Sequence, residues 1–283
     1  MQSCHQSWHA NLDLEFSSRD GITRLTKKKH QGPLVVQKAL YPEGKGVCHV
    51  VMLHPPSGLA GGDHLFTSVS VNQDAQAVLT TPGATRWYKS NGRIASQRTD
   101  IKIETGAHLD YLPHENIFFD QVVGRSSLSI HQAVGSSLIA WDMIQLGRTA
   151  SGEAWSESSL DIHASLHLDQ QPVWIDQSAL DSNSVSRYSM SGLDGHRVFG
   201  TMWMSSTLVN QHLSEILAAN MPWGSGLRSG VSFMDIGQQH GLMVIRALAQ
   251  EVEDIRQLFI QSWLRMREHV CRLPAQSLRL WKT

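Results

Sequence analysis

Up to about residue 180 the chain alternates apolar and polar positions with a period of two. Leu12, Leu14 and Phe16 are interleaved with Asp13 and Glu15; Leu65, Val69 and Val71 with Phe66, Ser68 and Ser70; Ile101 and Ile103 with Lys102 and Glu104. Leu109 and Tyr111, Leu128 and Ile130, and Ile162, Leu166 and Leu168 repeat the pattern, and Val47 to Leu53 is a mostly apolar run ended by Pro55-Pro56. Period two places one set of side chains on each face of a strand. Turns are expected at Gln73-Asp74, Thr105-Gly106, Val134-Gly135 and Asp169-Gln170. Short strands at such spacing make an all-β sandwich, barrel or solenoid. There is no fixed sequence repeat, which argues against a propeller.

The C-terminal part changes period. Val209, Leu213, Ile216 and Leu217 fall on one face of a helix expected from about Thr207 to Ala219. Val252, Ile255, Phe259, Trp263, Met266 and Val270 recur at spacings of three and four, which predicts an amphipathic helix of about 20 residues, stopping before Pro274. Leu242 to Leu248 reads as a further strand between them. The apolar-basic tail, Leu278 to Thr283, either docks on its own domain or is carried to a partner. No Pro-rich or Ser-rich linker divides the chain, so one domain is expected over 1-283, with 1-205 mainly strands and 206-283 holding helices, strand and tail.

Composition narrows the function. The 283 residues carry 24 Lys plus Arg against 25 Asp plus Glu, and only 17% are charged. That balance argues against nucleic acid as a partner. Low charge at near-zero net charge suits a chain covered by partners and poorly soluble alone. The basic run Lys27-Lys28-Lys29-His30 reads as a solvated turn. No apolar stretch is long enough to span a membrane, and Met1 to Ala10 has no signal-peptide character. The odd, scattered cysteines Cys4, Cys48 and Cys271 are therefore expected to be free thiols in a reducing cytoplasm.

Most catalytic signatures are absent. The chain has no Gly-x-Ser-x-Gly elbow and no P-loop; the glycine-rich stretches 58–63 and 224–230 lack the Gly-Lys-Ser/Thr ending. His114-Glu115 begins a zincin-like pair, but Phe118 stands where the second histidine is needed. Fifteen histidines raise the question of metal handling, since imidazole suits nickel, copper and zinc. His163 and His167 nevertheless read as solvated strand residues, Cys48-His49 as a buried thiol beside a satisfied histidine, and Cys4, His5 and His9 as an adventitious cluster. Asp63, after Gly61-Gly62, reads either as an Asx-turn residue or as a carboxylate facing a cavity.

Several ordered motifs carry a resemblance. Trp8, Ala10, Leu12 and Leu14; Gly32-Pro33-Leu34; Tyr41-Pro42-Glu43; His54 to Asp63; Thr80 to Tyr88; Tyr111-Leu112-Pro113 through Phe119; Trp141-Asp142; Leu146-Gly147-Arg148; Gly152-Glu153; and the closing Leu278 to Thr283 resemble, in order, the pattern of the UreD (UreH) family of urease accessory proteins. Departures are Ser57 in place of a glycine, Trp155-Ser156-Glu157 in place of Ser-His-Gly, and Asp176-Gln177 in place of Glu-Arg.

The resemblance implies a mainly β fold wound in a β-helix-like spiral, with about two α-helices in the C-terminal part. It implies a maturation chaperone with no catalysis of its own. Such a protein binds apo-urease and UreF, reaches the GTPase UreG through UreF, forms an accessory complex that can be dimeric, and helps deliver nickel to the urease active site. It holds no tight cofactor; nickel(II) is in transit. Carboxylates suit a transient passage, and Asp63, Asp176, Glu115 and Asp142 are the candidates, the first two favoured by the resemblance. Arg279, Leu280 and Trp281 are candidates for the UreF contact. The competing expectation is a β-helix or sandwich hydrolase with paired carboxylates such as Asp63 and Glu115.

Overall fold

The structure, a computed structural model, describes residues 7–148 and 151–282. Cys4, His5 and Thr283 lie outside the described residues. Strands β1 (His9–Arg19), β2 (Ile22–Gln31), β3 (Val35–Val36), β4 (Val47–Leu53), β5 (Gly58–Leu59), β6 (His64–Val71), β7 (Gln76–Thr80), β8 (Thr85–Trp87) and β9 (Ala95–Ile103) lead the chain. Next come β10 (His108–Leu112), β11 (Asn116–Phe118), β12 (Val123–Gln132), β13 (Ser137–Leu146), β14 (Ser159–Leu168) and β15 (Gln171–Asp181). The one-turn helix α1 (Val185–Tyr188), β16 (Val198–Ser206), α2 (Gln211–Ala218), β17 (Leu227–Asp235), β18 (Gly241–Ala249) and α3 (Val252–Cys271) complete it.

The fold is mainly β, a solenoid-like winding of about four turns. Two sheets face each other: one of seven strands in the order β15-β14-β12-β9-β6-β1-β2, and one whose main path is β17-β18-β16-β13-β10-β7-β4-β3. The four expected turns all occur, and three of them are the corners where the chain passes from the first sheet to the second. The corners stack: Asp74 N–H donates to Thr105 C=O at 3.3 Å and Gly106 N–H to Gly135 C=O at 3.2 Å. Gly106 takes φ +72°, a conformation glycine adopts without strain, and a Cβ there would displace the Asp74 carboxylate, whose Oδ1 would lie 2.1 Å away.

The alternation seen in the sequence is the core. Leu14, Val69, Ile101, Ile130 and Leu166 stand in one ladder across five parallel strands, all buried. Each such side chain contributes roughly 1.5–3 kcal/mol of burial. Cys48, Ala77, Leu109 and Leu138 face them from the second sheet. The other face of that sheet is also covered: Val78, Ile139, Trp141 and Met143 pack with Ile255, Phe259, Trp263, Met266 and Val270 of α3. α3 spans 20 residues and ends in Arg272, which caps it in the left-handed conformation at φ 60°.

Three elements differ from expectation. Lys27-Lys28-Lys29-His30 is no turn; it lies inside β2, the exposed edge of the first sheet, where lysines block further strand pairing. The helix expected from Thr207 starts at Gln211, because Asn210 caps it by accepting from Leu213 N–H at 3.2 Å. The glycine-rich segment 224–230 runs into strand β17, paired along its whole length with β18.

Candidate functional site

Two cavities lie between the facing sheets. The first, about 290 Å³, is bordered by β4, β6, β9 and β12 and by the loops carrying His54, Thr81 and His114. The second, about 1130 Å³, lies toward the last strands, between β14 and β15 on one side and β16, β17 and β18 on the other. Asp142 belongs to the lining of both.

Asp142 reaches this position because β13 alternates: Trp141 and Met143 point to α3, and Asp142 points between the sheets. Its Oδ1 accepts from Asn116 Nδ2 at 3.1 Å, while Asn116 Oδ1 accepts from Trp87 Nε1 at 3.0 Å. The indole N–H therefore fixes which end of the amide faces Asp142. Burial pushes the Asp142 carboxyl up to about 6, with the Asn116 bond and the Met143 N–H pulling the other way. Asp142 is half-buried, and cavity space adjoins it.

Asp176 lines the second cavity from β15, opposite Ala164. Its Oδ2 accepts from an Arg246 guanidinium nitrogen at 2.5 Å, across from β18. Gln177, the next residue, is exposed and borders the same cavity. Asp142 and Asp176 are the acidic residues among the linings of these two cavities.

The other two candidates sit elsewhere. Asp63 is buried, and both its oxygens take backbone N–H groups, Oδ1 from Trp8 and Oδ2 from Ala60, each at 2.8 Å. It ties the entry of β1 to the glycine turn, as an Asx-turn residue does. That turn is tight: a Cβ on Gly61 would lie 2.0 Å from Ser90 O. Glu115 accepts from Arg256 of α3 at 2.6 Å, and Arg256 also holds Glu253. The pair needed by the hydrolase expectation is thus divided between a turn and a helix anchor.

Two histidines escaped the sequence reading as cavity residues. His54 lines the first cavity with both ring nitrogens buried and unpartnered, and burial holds its pKa below the usual range. His114 lines it too; Nδ1 donates to Thr81 C=O at 2.9 Å, leaving Nε2 as the basic nitrogen, and burial again lowers the pKa. Among the described residues no three His, Cys, Asp or Glu side chains are grouped to hold a metal ion. Cys48 and Cys271 are free, and His49 is satisfied by Glu43 at 2.6 Å.

The tail docks on its own domain. Leu278 is buried, and the Trp281 ring lies 5.8 Å from Trp141 and 5.3 Å from Trp263. Arg279 is exposed, and Leu280 and Trp281 are half-buried.

A solenoid-like winding of two facing β-sheets backed by a C-terminal helix, with carboxylates lining the cavities between the sheets, defines the structural class of this protein. The chain belongs to the UreD urease accessory protein family, whose pattern it matches over residues 9–282. It is 45% identical over 279 residues to the urease accessory protein UreD of Ralstonia nicotianae, covering 98% of this chain and 95% of that one. It is 40% identical to the Bordetella pertussis protein of the same name, with both chains covered completely, and 38% identical to that of Polynucleobacter asymbioticus over 99% and 95%. The family's role is an accessory one in urease maturation. No helix of the described residues is long and apolar enough to cross a membrane.

Proposed function

We propose that this chain is the ion-conducting scaffold of a urease maturation complex: it binds apo-urease and UreF, reaches UreG through UreF, and conveys nickel(II) to the urease active site without making or breaking a covalent bond. The observation that carries this reading is the sharing of Asp142 by two cavities that together follow the space between the sheets. Nickel(II) favours imidazole, carboxylate and water. His54, His114, Asp142 and Asp176 offer those ligands one at a time, and conduction needs sites that admit an ion and still release it. Asp142 has a neutral hydrogen-bond partner and a buried setting that disfavours its charge, so a passing divalent cation stabilises the ionised form. Asp63 and Glu115 support the walls in this reading, through the turn and the helix they hold.

The test is co-expression of the urease subunits and the other accessory proteins with and without this chain, measuring nickel bound per urease. Nickel content should fall to background without it. Full loading in its absence refutes the proposal.

A further inference from the structure

Asp176 is the one cavity-lining carboxylate already paired with a cation, and that cation holds a second contact at the same time. The Arg246 guanidinium donates to Asp176 Oδ2 at 2.5 Å, and its central carbon lies 5.2 Å from the Trp174 ring centre. Arg246 comes from β18 and Asp176 and Trp174 from β15, so the ion pair bridges the two walls of the larger cavity. The pair is open to water, with the Arg246 side chain 58% and Asp176 31% exposed, which makes it breakable. A guanidinium that leaves the carboxylate keeps favourable contact with the indole face.

From this geometry we infer that Arg246 is a displaceable counter-ion for Asp176. It holds the carboxylate until a divalent cation arrives, then gives up Asp176 to the cation and keeps only its contact with Trp174. The exchange keeps the affinity of Asp176 for the cation low, because each binding event must break the ion pair, and it returns the arginine to expel the cation afterwards. The inference deepens the passage reading and rests on it for its biological purpose; the competition itself is a property of this chain alone.

The experiment is calorimetric titration of the full chain with nickel(II) chloride. R246Q should tighten binding by about fivefold, which at 1.4 kcal/mol per tenfold corresponds to about 1 kcal/mol, the strength of an exposed ion pair. D176N combined with R246Q should abolish that gain, and R246K, which keeps a charge able to reach Asp176, should stay close to wild type. Unchanged affinity in R246Q, or a gain that survives D176N, overturns the inference. Tightened binding with normal nickel loading of urease upholds the counter-ion and removes the passage reading instead.

Discussion

Arg267 of α3 and Asp110 of β10 meet at 2.9 Å with neither side chain exposed. The same guanidinium donates to both oxygens of Glu43, at 2.5 and 3.1 Å, and to Pro274 C=O at 2.7 Å. Trp263 Nε1 donates to the second oxygen of Asp110 at 2.8 Å. One arginine thus ties together the helix, the second sheet, the loop that carries the Tyr41-Pro42-Glu43 motif, and the start of the tail. Removing it takes the arginine charge from two buried carboxylates and leaves Asp110 to His108 and Trp263, and Glu43 to His49. R267M is expected to cost about 3–5 kcal/mol in chemical denaturation. A loss below about 1 kcal/mol would mean that water reaches Asp110 and takes the place of the arginine.

The same cluster sets a pH dependence. His108 Nδ1 pairs with Ser137 Oγ at 2.9 Å and Nε2 lies 3.2 Å from Asp110. Burial opposes its charge, but the Cys271 sulfur and the Asp110 carboxylate outweigh burial and raise its pKa to about 10. Burial likewise works against ionised Asp110, and His108 and Arg267 hold it down at about 2. A raised histidine stabilises the fold fully below its unfolded value of about 6.5, and that contribution disappears as pH climbs through 10. A depressed carboxylate stabilises it above about 4, and that contribution disappears as pH falls toward 2. The wild type should lose about 3 kcal/mol between pH 7 and 9.5 relative to H108Q. Parallel melting curves of the two proteins across that range would show His108 to be neutral when folded.

Much of this fold was legible, and the reason is specific. Leu14, Val69, Ile101, Ile130 and Leu166 alternate because one face of the first sheet meets the core and the other meets water. The corners were legible in Thr105-Gly106 and Val134-Gly135, where glycine takes positive φ. Asp110 was not legible as a core charge: it sits on the polar phase of its strand, and period two cannot tell a solvated face from one covered by a helix. Arg267 is four residues from Trp263 on the apolar face of α3, where a lone arginine reads as a boundary. β17 escaped because Ser229, Gly230 and Ser232 give it no apolar alternation. Five of the nine tryptophans fill the interior, where composition alone does not place them: Trp87, Trp141, Trp155, Trp203 and Trp263 are buried. The cavity pair was half legible, since Asp142 and Asp176 stand out as carboxylates, whereas Arg246 is visible only through the register of β18.

Ser57 stands where the family pattern has glycine, and its φ is +66°. A side chain in the left-handed region costs about 1–2 kcal/mol, offset in part by the greater entropy glycine has when unfolded. S57G should stabilise the fold by up to about 1 kcal/mol, a rise of roughly 2 °C in melting temperature for a chain of this size. An unchanged or lower melting temperature would mean that the Ser57 hydroxyl bond to Pro55 C=O, 3.3 Å long, outweighs the strain.

The tail separates stability from binding within three residues. Trp281 packs on two other tryptophans, so W281A should cost about 2 kcal/mol through lost packing. Arg279 is exposed, and R279A should stay within about 0.5 kcal/mol of wild type. A UreF interface on this side of the tail predicts that R279A loses co-purification while its melting curve stays unchanged. Complete co-purification of R279A with UreF would take this residue out of the interface.

Asp142 gives the sharpest test, because stability and function are expected to move in opposite directions. Its carboxyl is raised to about 6 by burial, so the folded chain holds that proton more tightly than the unfolded one. With respect to this group the fold is most stable below about pH 4, loses stability as pH rises through 6, and carries the full penalty above it. The isosteric amide of D142N has no charge to bury. Cavity space beside the carboxyl softens the penalty, so the gain expected above pH 7 is about 1 kcal/mol, with the two proteins coinciding below pH 4. An asparagine offers a cation no negative charge, so the same variant should lower the nickel found in co-expressed urease. A residue kept at a cost to the fold is characteristic of a functional position. Identical melting at every pH would place the carboxylate in water, and a stabilised variant with undiminished urease nickel would leave Asp142 without a part in conduction.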